Sequence, residues 1–194
     1  MRPRRSAALI PLLSAALLTA CGGQGTAPAR NPAPQAGPQA VASSSGSQSA
    51  LDATAVAFAE LVIATDGQAV KLLDLGADRA KSAGLRELAG TLASARRAEA
   101  ARLRGILDDA GVAYVDNHAG HDMPGMPTEA ELTALAAAPD FDAQFTKLTR
   151  AHLTESATVA KSGASSVAHA ATQAVADAMV LERESALRAL DALG

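Results

Sequence analysis

Residues Phe58 to Leu72 read FAELVIATDGQAVKL, and their spacing decides the fold class. Phe58, Val62, Thr65, Ala69 and Leu72 recur at steps of four, three, four and three, one stripe along a helix with the seam spacing of a packed bundle. Thr65 is the polar break in that stripe. Ala and Leu dominate the sequence after Leu51 and β-branched alternation is scarce, so the spacing predicts a helix over about 52–75 in an all-α domain.

Downstream the same reasoning predicts a second helix over about 78–109, with Leu85, Leu88, Leu92, Ala95, Glu99 and Ile106 on one stripe and Gly111 as its stop. A polar loop follows. Thr128 with Glu131 three residues on makes a capping box for a short helix reaching about Ala137, and Asp140 is placed to cap the next one. A third long helix is expected over about 140–162, with Phe141, Phe145, Leu148, His152 and Val159 on one face and a break at Gly163; a fourth is expected over about 165–193, with Val175, Met179, Glu182, Leu190 and Leu193 on its face.

The two halves repeat. An aromatic (Phe58, Phe145) lies seven residues before a polar seam position (Thr65, His152), and a glutamate (Glu99, Glu182) follows in the next helix. A duplicated helical hairpin closing into a four-helix bundle is the architecture this implies.

Upstream of the domain, residues 1–21 join an Arg-rich start to an apolar run from Ala7 to Leu18 and then to a cysteine, the pattern of a secretory signal and not of a spanning helix. Leu18-Thr19-Ala20-Cys21 resembles the lipobox of bacterial lipoproteins, in which the cysteine is acylated and becomes the new N-terminus. That resemblance implies a lipid anchor at Cys21 and an extracytoplasmic protein held on a membrane surface. Residues 22–50, rich in Gly, Pro, Ser, Gln and Ala, offer too little apolar surface to offset their ordering entropy and read as a tether, leaving 51–194 as the domain. Cys21 is the only cysteine, so an acylated chain has neither a disulfide nor a thiolate ligand. The net charge of −3, together with three Phe, one Tyr and no Trp, leaves no basic stripe or stacking platform for nucleic acid.

The chemistry concentrates in His118-Ala119-Gly120-His121-Asp122-Met123-Pro124-Gly125-Met126, in the loop 111–127. Imidazole suits copper in either oxidation state and thioethers select Cu(I), so His118, His121, Met123 and Met126 form a candidate metal set. The alternative is that both methionines pack as apolar plugs over the bundle while the histidines stay in solvent. His152 is either a further ligand or a hydrogen-bonded core residue. Glu99 and Glu182 either point carboxylates into the same interior or pair with Arg96, Arg102 or other cations. His169 has no evident partner and is expected in solvent. A di-metal oxidase needs Glu-x-x-His pairs, whereas the residues three before the four histidines are Val115, His118, Thr149 and Ser166. No nucleophile elbow is present either, so no enzyme signature is found.

Over about residues 51–193 the sequence resembles the domain-of-unknown-function family 305, exported ferritin-like helical proteins whose first helices carry M-I-x-H-H-x-x-A-V, whose second helices carry Q-x-x-E, and whose linker carries H-D-M-P-G-M. His121 to Met126 match the linker. The first His-His pair is Thr65-Asp66 here, the second is His152-Leu153, and the Q-x-x-E positions read Arg96 with Glu99 and Met179 with Glu182. The resemblance implies a ferritin-like four-helix fold and copper handling in the cell envelope, with Cu(I) as the favoured ion. The missing histidines imply the rival, a structural or interaction module without metal. The protein partner is not legible from the sequence.

Overall fold

The computed structural model describes residues 51–193; the signal-like segment, Cys21 and the tether lie outside the described residues. Among the described residues the elements are all helices: α1 (Ala53–Arg79), α2 (Ala83–Asp109), α3 (Glu129–Ala137), α4 (Phe141–Ser166) and α5 (Ala170–Asp191). None of them is long and apolar enough to cross a membrane.

The ends follow from local chemistry. Asp52 Oδ1 accepts from Ala55 N at 2.8 Å to start α1, and Ser82 Oγ accepts from Leu85 N to start α2. At the end of α2, Gly111 takes φ 69°, Val112 N donates to Leu107 O and Gly111 N to Asp108 O, a Schellman stop of the kind its glycine promises. The capping box Thr128/Glu131 is present in full at α3.

Three expectations change. Asp140 occupies the N-cap position of α4 but makes no capping hydrogen bond; its carboxylate accepts from Gln144 instead. Asp142 accepts from the amides of Lys81 and Ser82 at the mouth of α2, which holds its carboxyl below the usual range. His169 is half-buried and caps α5, its Nδ1 accepting from Thr172 N. Gly163 does not break its helix, which runs on to Ser166.

Gly163 is there for packing. A Cβ on it would lie 2.3 Å from the Phe58 ring, and a Cβ on Gly76 would lie 2.2 Å from the Phe145 ring. Each aromatic therefore beds on the glycine of the opposite hairpin, which also makes α1 and α4 antiparallel. Phe58 and Phe145, Gly76 and Gly163, and the caps Ser82 and His169 all share one spacing, 87 residues (163 − 76). The duplication is physical.

Hairpin α1/α2 and hairpin α4/α5 meet through α1 on α4 and α2 on α5, closing a ring of four long helices. Because α4 runs antiparallel to α1, the segment after α2 must return along the length of the bundle, about 40 Å for a 27-residue helix. It does so over the α1/α4 seam, where Glu60 accepts from Val115 N and Asn117 Nδ2, and Lys71 of α1 pairs with Glu129 of α3. One apolar cluster fills the half of the bundle around Phe145, Leu72, Leu92 and Leu190, and a second fills the half around Phe58, Ile63, Leu103 and Val175. Between them the core turns polar.

Candidate functional site

The seam of α2 is rotated by one residue from the expected stripe. Its buried residues run Leu85, Ala89, Leu92, Arg96, Leu103, Leu107, and on α5 they run Val175, Met179, Arg183, Ala186, Leu190. Arg96 and Arg183 are thus both fully buried at the waist and stand 87 residues apart. The expected repeat of Glu99 in Glu182 is corrected accordingly: those two are 83 residues apart, one helical turn out of register, and Arg183 is the true counterpart of Arg96. By the same spacing the counterpart of Glu99 is Ala186.

The glutamates serve as counterions across the bundle. Arg183 Nη2 donates to Glu99 Oε1 at 2.6 Å and Nη1 to Glu99 Oε2 at 3.0 Å, while its Nε donates to Ser156 Oγ at 3.0 Å. Arg96 Nη2 donates to Glu182 Oε2 at 2.7 Å. Asp66, from the TD pair on α1, lies between the guanidiniums at 3.5 Å from Arg183 Nη2 and 3.8 Å from Arg96 Nε, with neither oxygen in a hydrogen bond. Three carboxyl groups therefore face two guanidiniums. Burial pushes both Asp66 and Glu99 well above the carboxylate range; at Asp66 the Arg96 charge opposes that push, while at Glu99 the neighbouring Asp66 adds to it.

Beside this cluster sits His152. Two turns of the linker bring its partner into place: His121 N donates to His118 O and Met126 N to Met123 O, each at 3.0 Å, with Gly120 at φ 76° and Gly125 at φ 71° in the third positions. Pro124-Gly125 is the pair that such a turn requires, because its third residue needs positive φ. Gly125 is also pressed against α4, where a Cβ would lie 2.9 Å from Ala151 O. This approach sets its carbonyl 3.2 Å from His152 Nδ1.

A carbonyl only accepts, so Nδ1 carries the proton and Nε2 keeps its lone pair. Nε2 is buried and has no hydrogen-bond partner. Burial, with the nearby Arg96 charge, pushes the imidazole down to about 3, against which the Gly125 bond acts only weakly. His152 is a neutral imidazole with one ring nitrogen committed and one free.

A cavity of about 250 Å³ adjoins it, lined by Met123, Met179, Thr65 and Ser156 as well as His152. Met123 also lines a smaller cavity of about 170 Å³ with Met126, Asp122 and Glu131. The linker donors thus separate: Met123 lines the His152 cavity, Met126 is buried as a plug beside α4, His118 is half-buried and His121 is exposed. Neither His118 nor His121 lines either cavity. Among the described residues no three His, Cys, Asp or Glu side chains gather as a metal site. Sequence reasoning placed Met179 on the seam without counting it as a donor and left Arg183 out; the 87-residue spacing of Phe58 and Phe145, carried forward, points to that arginine.

Comparison with known proteins agrees with this architecture. The sequence profile of the family described as Domain of unknown function (DUF305) matches residues 55–193. A crystal structure of a DUF305 fragment from Deinococcus radiodurans superposes with a TM-score of 0.63 at 19% identity, covering 73% of this chain and 95% of that one. A DUF305 protein from Streptomyces coelicolor, described as a candidate secreted protein, superposes with a TM-score of 0.67 at 24% identity over 74% of this chain and 93% of that one. Comparison with curated proteins returns no match. With most of its helical domain covered by the profile, the chain belongs to the DUF305 family.

Proposed function

We propose that this protein is an extracytoplasmic, lipid-anchored copper-binding protein that holds Cu(I) at the waist of its bundle and buffers it without catalysis. The observation that carries this reading is the buried, unpartnered Nε2 of His152, its tautomer set by Gly125 O, beside a cavity lined by the thioethers of Met123 and Met179. An imidazole whose other nitrogen is tied to a backbone carbonyl is the usual preparation of a metal-binding histidine. One borderline nitrogen and two soft sulfurs suit Cu(I), which needs few ligands and prefers soft ones. His152, Met123 and Met179 would hold the ion, and Met126, His118 and His121 would lie along its approach.

The placement outside the cytoplasm rests on the signal-like residues 1–21, the lipobox resemblance at Cys21 and the candidate secreted relative from Streptomyces. A second reading, a structural or interaction module without metal, is favoured by Asp66, which sets a carboxyl group between the Arg96 and Arg183 guanidiniums where the family pattern carries a histidine.

Anaerobic titration of the full chain with Cu(I) against a competing chelator separates the two readings. A Cys21→Ser background removes the thiol. The copper reading expects binding that weakens by roughly ten-fold or more in His152→Ala and in Met123→Ala, with little change in His121→Ala. Binding that depends on His121 and Met126 alone would move the site to the linker surface. No competition with the chelator would leave the second reading.

A further inference from the structure

The internal repeat shows what one of the bundle's surfaces lacks. The α1/α4 seam has two equivalent halves, related by the 87-residue spacing. In one half, the C-terminal part of α1 and the N-terminal part of α4 form a trough from Leu72, Leu75, Phe141, Phe145 and Leu148, and α3 lies in it with Leu132 and Leu135 buried. The other half, the N-terminal part of α1 with the C-terminal part of α4, is a groove of about 500 Å³ that no helix covers among the described residues. Its floor is Phe58 on Gly163, the counterpart of Phe145 on Gly76 under α3.

The groove is also roomier. Thr54 stands where the covered half has Phe141, and Ser162 where it has Leu75, while Leu61 and Val159 keep the apolar wall. Larger side chains of an incoming segment therefore fit. The two cations that fix α3, Lys71 to Glu129 and Arg79 to Ala136 O, have Thr158 and Ser166 as counterparts, so recognition here rests on apolar contact and neutral rims.

We propose that this open groove docks a short amphipathic helix of a partner protein, presenting two large aliphatic side chains three residues apart, in the position that α3 takes on the other half of the seam. Helix-in-groove recognition through such one-turn anchors is a common mode of peptide binding. The groove continues the α1/α4 interface that α3 already uses, and the two share the same floor geometry. Residues 22–50, which lead into α1 at Ala53 and Thr54, contain no Leu, Ile, Met or Phe, so no pair of large aliphatic anchors lies in that stretch.

The test uses α3 as the probe. A capped peptide copying Pro127–Asp140 is titrated into the isotope-labelled full chain carrying Cys21→Ser, and amide shifts are followed by NMR. Saturable shifts at Ala57, Leu61 and Ser162 are expected. They weaken by roughly ten-fold or more in an Ala57→Arg, Ser162→Arg chain, and equally with a peptide carrying Leu132→Asn and Leu135→Asn. Ala57 and Ser162 are exposed, so that chain keeps its thermal stability, which is measured alongside. Three results overturn the proposal: no saturable shift at millimolar peptide, shifts confined to Phe141 and Gln144 because the peptide only exchanges with α3, or concentration-dependent self-association that seats a second copy in the groove.

Discussion

The two hairpins are built to one plan and part in their chemistry at the waist. Each contributes an aromatic that beds on a glycine of the other, and each carries a buried arginine on its second helix. At the waist the first hairpin places Thr65-Asp66 and the second places His152-Leu153. The shared residues make the bundle; the differing pair makes its chemistry. On one side a carboxyl group faces two guanidiniums, and on the other a neutral imidazole faces a cavity with two thioethers.

The shared frame breaks most readily at its charges. Arg183→Ala removes the bidentate partner of Glu99 and leaves buried carboxyl groups uncompensated, which costs about 3–5 kcal/mol of unfolding free energy. Replacing Asp66, Glu99, Arg96 and Arg183 together by apolar residues of similar volume restores most of that loss, measured by chemical denaturation. A four-site variant as unstable as the single one would show that the charges are part of the frame.

Next in size are the two glycines. Gly to Ala inside a helix ordinarily stabilises by up to about 1 kcal/mol, yet at Gly76 and Gly163 the new methyl meets a ring, so both Gly76→Ala and Gly163→Ala destabilise by about 1–3 kcal/mol. Gly163→Ala is the milder, because Phe58 borders an open groove and can shift, whereas Phe145 is held beneath α3. Equal losses would remove the distinction between the covered and open halves of the seam.

The smallest effects are in pH, and there the hairpins have opposite signs. His152 is pushed down to about 3 from its ordinary 6.5, so between those values the unfolded chain binds a proton that the folded one refuses, and stability falls as pH drops below about 6.5. The Asp66–Glu99 pair is pushed up, so the folded chain holds a proton that the unfolded one has released, and its contribution fades as pH rises above the ordinary carboxylate range near 4. His152→Asn flattens the acid-side loss, and Asp66→Asn flattens the alkaline-side loss. Denaturation curves from pH 5 to 8 measure both.

Much of this was legible in the sequence. Seam spacing located the four long helices, Gly111 and the Thr128/Glu131 box set their ends correctly, and the repeat of Phe58 in Phe145 disclosed the duplication. What misled was leaving the arginines off the seam stripes. Their long apolar stems let Arg96 and Arg183 lie on the seam, and only tertiary counterions make their burial tolerable. Gly163 looked like a stop because a helix-interior glycine is intrinsically unfavourable, and its reason is a ring from another helix. The linker motif announced donors but not where they point: a turn that needs Pro124-Gly125 delivers a carbonyl to His152, plants Met126 in the core and leaves His121 outside.

The central claim is that the second hairpin keeps an imidazole with a free Nε2 ready for a soft ion. Long-range nitrogen–proton NMR of the histidine side chains, recorded before and after anaerobic addition of Cu(I) to the Cys21→Ser chain, tests it most directly. The account predicts a neutral His152 protonated at Nδ1 throughout pH 5–8, with its Nε2 resonance alone shifting strongly when copper is added. A His152 protonated at Nε2, or a copper shift seen at His118 and His121 and absent at His152, would contradict it.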